Sequence, residues 1–323
     1  MPDILFADAP DGTRLPVIDL TLPAFSVPES PEAIAALEAQ ALAIERQRNP
    51  LMRQAMGLLL RLFGGRSRLV AALTSARRGF LGGIPTYVMK LGPDNLVPPY
   101  ATEIDRRVVA TPIVASMRLR LAQVAALLSE GLAPLLAGNQ RPLVILEIAG
   151  GPSADALNAL IRLEGLGLLA GRRTRVIVYD LDDAGPAFAR AMLEALQTGP
   201  LAGRDILLEH VAGNWSDHQA LGRLAAGAPA GAVLAATSEG GLFEYGSDAD
   251  IAGVLEALAP HVPLVTGSVT RNDELGRLTR RNGVSGVVPR GLGRFAELIA
   301  KTGYRIADSR GAVLSDQVRL TRD

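Results

Sequence analysis

Two rhythms of hydrophobic spacing divide this chain at about residue 140. From Pro31 to Leu136 apolar residues recur at three- and four-residue intervals, the spacing of one face of a helix. The pattern predicts helices over 31–47, 50–63 and 66–78, and a longer one between Thr102 and Leu136 bent near Pro112. Ser30 stands where an N-cap is preferred, Pro31 takes the first helical position, and Glu32 follows. Between these helices, 79–100 is too rich in Gly and Pro for a helix and reads as a loop. A loop of that length inside a compact unit is more often functional than idle. The first 30 residues are Pro-rich and without periodicity, and only they lean towards disorder.

After Gln140 the rhythm changes. Short β-branched runs at 143–148, 174–180, 205–211, 231–237 and 262–268 alternate with helical patterns near 154–168, 184–197, 216–226, 248–259 and 290–302. That alternation predicts βαβ units and a doubly wound, mostly parallel sheet. The tail departs from it. Tyr304–Asp308 and Val313–Thr321 are joined by a short SRGA link with no helix between, which predicts a terminal antiparallel hairpin.

At 323 residues, 48% hydrophobic and 20% charged, the chain can bury a full core as one large unit or two. The division expected is a helical cap over 1–140 and an α/β domain over 141–323. Lys plus Arg and Asp plus Glu balance at 33 each, so no global field draws the protein to nucleic acid. Cysteine is absent, which removes disulfides and thiolate chemistry and fits a reducing compartment. The N-terminus has no basic segment followed by an apolar core, and no apolar run reaches 18 residues. The nearest, Leu51–Phe63, carries Arg53 and Arg61 and reads as an amphipathic helix packed on a partner surface. A soluble, cytoplasmic protein without a membrane partner is expected, its N-terminal helices offering a face for a homodimer.

In an open α/β sheet the ligand lies beyond the carboxyl ends of the strands. The first strand ends in Glu147 and is followed by Ala149–Gly150–Gly151–Pro152–Ser153, small residues that let a ligand approach backbone closely. A carboxylate there argues against a pyrophosphate and for a ligand carrying an ammonium or hydroxyls, so S-adenosyl-L-methionine fits better than NAD. The second strand ends in Tyr179–Asp180–Leu181–Asp182–Asp183, where a carboxylate can accept from a ribose diol. The third runs into Gly213–Asn214–Trp215, an amide for an adenine edge and an indole for its face. The fourth ends in Thr237–Ser238–Glu239–Gly240–Gly241, close to the expected position of a sulfonium.

In order and spacing these strand ends resemble the motifs of class I S-adenosylmethionine-dependent methyltransferases, over about 141–323. LEIAGGPS is similar to that family's E-x-G-x-G-x-G loop, with Ala149 and Ser153 where glycine is usual and Gly151 at a family glycine position. VYDLD is similar to the acidic end of its second strand, and VAGNW to its third motif, with Asn214 where aspartate is common. The resemblance implies a Rossmann-like methyltransferase sheet, whose terminal hairpin separates it from the dinucleotide-binding version. It implies that Glu147, Ala149, Gly150 and Gly151 line the methionine side and that Asp180, with Leu181 beside it, holds the ribose. Asp182 is the fallback for Asp180, because LEGLGLLAGRR lengthens the separation from Glu147. Asn214 and Trp215 would meet the adenine and Ser238 the sulfonium side.

Methyl transfer needs nucleophile and methyl held in line in a dry pocket, with a base only where the acceptor must lose a proton. Ser238 to Tyr245 mixes acid, aromatic and flexible residues and is similar to the corresponding segment of the leucine carboxyl methyltransferase-like group, although an inserted Gly241 breaks the correspondence. Glu239 and Tyr245 are the acceptor-side candidates, and Glu244 reads as a solvated loop acid. Of the three histidines, His210 near the third strand's end is the candidate within reach of the site, His218 beside the adenine loop reads as a surface helical position, and their spacing fits no metal. The helical region contributes Tyr87, Met117, Arg118 and Arg120 to a cap, with Arg118 as the candidate for the cofactor carboxylate. A mostly apolar cap favours a small-molecule acceptor. Val97–Pro98–Pro99–Tyr100 reads as a turn. Two other readings remain: an NAD(P)-dependent oxidoreductase, whose G-x-G-x-x-G fingerprint is absent, and a non-catalytic scaffold of the same fold.

Overall fold

A computed structural model describes residues 3–47, 67–75, 81–281 and 286–322. Its centre is a seven-stranded sheet built from β3 (Leu143–Ile148), β4 (Thr174–Asp180), β5 (Ile206–Ala212), β6 (Val233–Ser238), β7 (Leu264–Thr270), β8 (Tyr304–Gly311) and β9 (Ser315–Arg322). The order is β5-β4-β3-β6-β7-β9-β8, parallel except for β9, which runs antiparallel to both β7 and β8. This is a doubly wound, Rossmann-like sheet with the terminal antiparallel hairpin that the strand pattern predicts. Strand order reverses between β3 and β6, so a crevice opens at the carboxyl ends of those two strands.

Why the inner strands read as unbroken apolar runs is visible in their packing. Along β3, Leu143 and Ile145 face one core while Val144, Leu146 and Ile148 face the other, and every residue is buried. The first core is closed by α5 (Pro112–Leu136), α6 (Ala154–Gly165) and α7 (Ala184–Leu196). The second is closed by α8 (His218–Ala226), α10 (Asp248–Leu258) and α12 (Gly291–Ile299). Two further helices, α9 (Leu242–Tyr245) and α11 (Glu274–Arg281), interrupt segments the hydrophobic pattern left open. At the sheet's edge β8 alternates half-buried and exposed residues after the buried Tyr304, with a register shift between Ile306 and Asp308.

The N-terminal region is helical, with a small hairpin added: β1 (Phe6–Asp8) pairs with β2 (Arg14–Pro16). Helices α1 (Pro31–Gln47), α2 (Arg68–Ser75), α3 (Gly83–Lys90) and α4 (Glu103–Val109) follow before α5. Ser30 caps α1 as expected, accepting from Ala33 N at 3.2 Å. The helix expected over 50–63, with Leu51–Phe63, lies outside the described residues. Pro112 opens α5 at its first position instead of bending a longer helix, because Ala110–Thr111 separate α4 from it. By length and composition α5 could cross a membrane, but two-thirds of its most apolar window (67%) is buried, and it packs on α6, β7 and β9.

Two expectations need correction. Residues 3–30 are folded, with Leu15, Val17, Ile18 and Phe25 in the core. Their backbone is tied down from two sides. The Tyr87 hydroxyl donates to Pro16 O at 2.9 Å and accepts from Ile18 N at 2.7 Å, while Asn158 on α6 accepts from Leu20 N and donates to Ile18 O. The segment 79–100 holds α3, since Gly83 and Pro85 fall in the first turn, where a missing N–H costs nothing. Tyr87 is accordingly a core residue edge-on to Phe188, not an acceptor-side group.

Candidate active site

Residues 149, 151 and 153 all take left-handed backbone, with φ of +53°, +52° and +57°. These are the three positions where the family resemblance puts glycine, so Ala149 and Ser153 keep the loop's shape at a steric cost. The turn is braced from beneath by Glu147, which is completely buried. The Ser153 hydroxyl donates to Glu147 Oε2, and a Cβ on Gly150 would sit 2.0 Å from the Glu147 side chain. Burial, and then the neighbouring Asp155 carboxylate, holds the Glu147 carboxyl well above the ordinary range. Its Oε1 is buried without a hydrogen-bond partner. Glu147 supports the loop and does not line the cavity above it.

That cavity, about 1140 Å³, opens at the carboxyl ends of β3, β4, β5 and β6 and is roofed by α1, α2, α3 and α5. Ala149, Gly150 and Gly151 form part of its floor. Asp180 borders them, accepting from Gly151 N through Oδ2 and from Asp182 N through Oδ1, both at 2.8 Å. Each carboxylate oxygen keeps a further lone pair for a ligand hydroxyl. Burial raises the Asp180 pKa, opposed by those backbone donors. Asp182 is committed to structure, accepting from Ala184 N at 3.1 Å and from Gly83 N of the roof at 3.2 Å. Leu181 is 70% exposed between them.

Across the floor, Gly213 lies so close over the Tyr179 ring that a Cβ would come within 2.2 Å of it. Asn214 folds its side-chain oxygen onto Ser216 N at 3.0 Å, and Trp215 packs on the second core with one side towards the cavity. His210 points elsewhere. Its Nε2 lies 3.0 Å from Asp180 O and its Nδ1 3.4 Å from Asp183, outside the cavity wall.

The far wall carries a buried charge quartet. Glu239, following β6, receives Lys90 Nζ from α3 and Arg120 Nε from α5, and Arg120 Nη1 donates to Glu244 of α9 at 3.0 Å. All four side chains are at most 12% exposed. Burial would raise the Glu239 pKa, but the two cations prevail and hold it below the ordinary value. For Glu244 burial prevails over Arg120, and its pKa is raised. Tyr245 beside it is pushed up to about 12 by burial and then by the Glu244 charge. Ser238 is a brace, donating to Ile148 O and accepting from Leu242 N, both at 2.8 Å.

The structure therefore brings Ala149, Gly150, Gly151, Asp180, Leu181, Asn214, Trp215, Glu239 and Tyr245 to one cavity, with Glu147 and Ser238 directly behind its wall. Arg118 is not among them. It packs against Gly92 and donates to Ser26 O at 3.3 Å, on another side of α5 from Arg120. Lys90 was missed because 79–100 reads as a loop, and Glu244 because it looks like a solvated acid when it is 5% exposed. Among the described residues no group of His, Cys, Asp or Glu is arranged to hold a metal.

No family model and no curated protein matches this chain. Among solved structures it is similar to the magnesium protoporphyrin IX methyltransferase of Synechocystis PCC 6803 with bound S-adenosylhomocysteine, at 12% identity and a TM-score of 0.45 over 65% of this chain and 87% of that one. An O-methyltransferase of neocarzinostatin biosynthesis in complex with S-adenosylmethionine matches at 20% identity and 0.38, over 70% and 62%. A pericyclic-reaction enzyme matches at 15% and 0.40, over 98% and 73%. These likenesses concern architecture, and the chemistry below rests on this chain's own residues.

Proposed function

We propose that the protein is an S-adenosylmethionine-dependent methyltransferase acting on a small-molecule acceptor. One observation carries this reading. A left-handed loop, a carboxylate with free lone pairs, an exposed leucine and an indole line one crevice at the switch point, opposite a buried charged wall. The residues fit the cofactor. Backbone at 149–151 leaves room for the methionine end, Asp180 can accept from the ribose diol, and Leu181 and Trp215 offer apolar faces to the adenine. When bound, the cofactor supplies an electrophilic methyl on a sulfonium. The chain's own task is to orient the nucleophile opposite that sulfur and keep water away.

On the acceptor side Glu239 serves as an anchor, because a carboxylate held ionised by two cations is a poor base. Glu244 is the proton acceptor for a hydroxyl or enol nucleophile. Tyr245 stays neutral at ordinary pH and can donate to the acceptor. His210 acts only as a positioning residue, through the Asp180 carbonyl. Titration calorimetry tests the reading: S-adenosylhomocysteine should bind, and Asp180→Ala should weaken it at least tenfold while unfolding stays cooperative. Saturable NADH binding without S-adenosylhomocysteine binding would overturn it in favour of an oxidoreductase. Binding of neither would leave the scaffold.

A further inference from the structure

The cavity is larger than the roughly 300–1,000 Å³ that one drug-sized ligand occupies, so it has room for an acceptor beside a cofactor. Its lining is of two kinds. One is the Lys90–Glu239–Arg120–Glu244 quartet. The other, on the roof, is mostly aliphatic, with Ile44 from α1, Val70 and Leu73 from α2, and Ile113 and Met117 from α5, beside Glu45 and Thr74. Six large hydrophobic side chains are exposed among the described residues, and three of them, Ile44, Leu73 and Leu181, open into this one cavity. Apolar surface left in water and gathered at one opening marks a ligand groove. With Leu181 beside Asp180, Ile44 and Leu73 (both 41% exposed) are left for a different molecule.

We propose that the acceptor is an aliphatic amphiphile with a single acidic oxygen head, its body along Ile44, Leu73 and Met117 and its head at Lys90 and Arg120. This rests on the methyltransferase reading and narrows its substrate. The charges at the head end suit one anion. Two cations face two carboxylates there, and because burial raises the Glu244 pKa, an entering anion is matched when Glu244 takes up a proton with it. Lys90 has committed one ammonium proton to Glu239 and can turn others to a ligand. A carboxylic acid enters ionised, and its oxygen forms the O–C bond as the S–C bond breaks. An enol reacts the same way, its proton passing to Glu244. The sulfonium loses its charge in either case.

The test is calorimetry of the protein loaded with S-adenosylhomocysteine, against hexanoic, octanoic and decanoic acids and decyltrimethylammonium. Affinity should rise about fourfold per methylene, as burial of each CH₂ requires, and the ammonium should bind at least tenfold more weakly than decanoic acid. Leu73→Glu should cut decanoic acid binding about tenfold with S-adenosylhomocysteine affinity unchanged. Leu166→Glu, a change at an exposed leucine outside the cavity, should cut nothing. Affinity independent of chain length, equal binding of acid and ammonium, or equal losses in the two variants would each overturn the proposal. If the acids bind with this gradient and S-adenosylhomocysteine does not bind, the amphiphile site stands and the methyltransferase reading falls.

Discussion

Ala149 and Ser153 hold left-handed backbone that costs a side-chain-bearing residue about 1–2 kcal/mol, yet only Ser153 has a compensating bond. Ala149→Gly should therefore stabilise the protein by about 1 kcal/mol. Ser153→Gly relieves the same strain but strips Glu147 of its hydroxyl donor, and should destabilise by about 1–2 kcal/mol. Urea denaturation measures both, and shifts of the same sign would contradict this account of the loop. A raised carboxyl in the fold contributes stability that is present at low pH and lost as pH rises from the ordinary value of 4.5 through the folded one. Glu147→Gln keeps the side chain's shape and removes its titration. The variant should match the wild type near pH 4, and its Tm should exceed the wild type's by a margin that grows as pH rises above 4.5. A constant margin would mean that Glu147 is ionised in the fold. The motif pointed to this loop, but not to its brace, because a glycine pattern records where the chain turns and not what lies beneath. Glu147 was expected at the ligand and is found one layer below it.

Elements with strong periodicity were legible. β3, β4 and α1 fall on the residues the hydrophobic pattern assigned to them, because each buries one regular set of side chains. The elements that were not legible lack that regularity. Helix α3 starts with Gly and Pro in its first turn, which weakens its signal without weakening the helix. Residues 16–20 are tied to partners far along the chain: Tyr87, 69 to 71 residues away, and Asn158, 138 to 140 residues away. No local window contains such contacts. Asn158→Leu fits α6 but leaves Leu20 N and Ile18 O without partners, and should cost about 2–6 kcal/mol at 1–3 kcal/mol per orphaned group, towards the low end because Leu20 is only half-buried. Hydrogen exchange should show the amides of 17–22 losing protection while those of β3 and β4 keep theirs. Unchanged protection at 17–22 would mean that apolar packing alone holds the segment.

At the scale of the whole molecule, an even balance of 33 cations and 33 anions says nothing about Lys90 and Arg120 standing in a buried wall of the cavity. Lys90 and Arg120 meet Glu239 across 149 and 119 residues, and so join the N-terminal region to the end of β6. The mostly parallel sheet with its terminal hairpin was legible because alternating strands and helices allow few topologies, whereas a quartet assembled from α3, α5 and the segment after β6 has no pattern in sequence. Taking ions out of water is costly, so such a group holds the roof to the sheet only while every charge is matched. Glu239→Gln leaves two buried cations facing Glu244 alone and should cost about 3–5 kcal/mol. Adding Lys90→Met to that variant removes one orphaned cation and should recover a substantial part of the loss, although it deletes a second native contact. In the double-mutant cycle the two changes should be strongly non-additive. Glu239 also contributes to acid stability with a definite sign. Its folded pKa is depressed, so its contribution is present above 4.5 and lost as pH falls through the folded value. The wild type should therefore lose stability more steeply than Glu239→Gln below pH 4.5. Additive single changes, or parallel acid unfolding of the two proteins, would show that the roof is held by its apolar contacts and that the charged wall is free to serve the ligand alone.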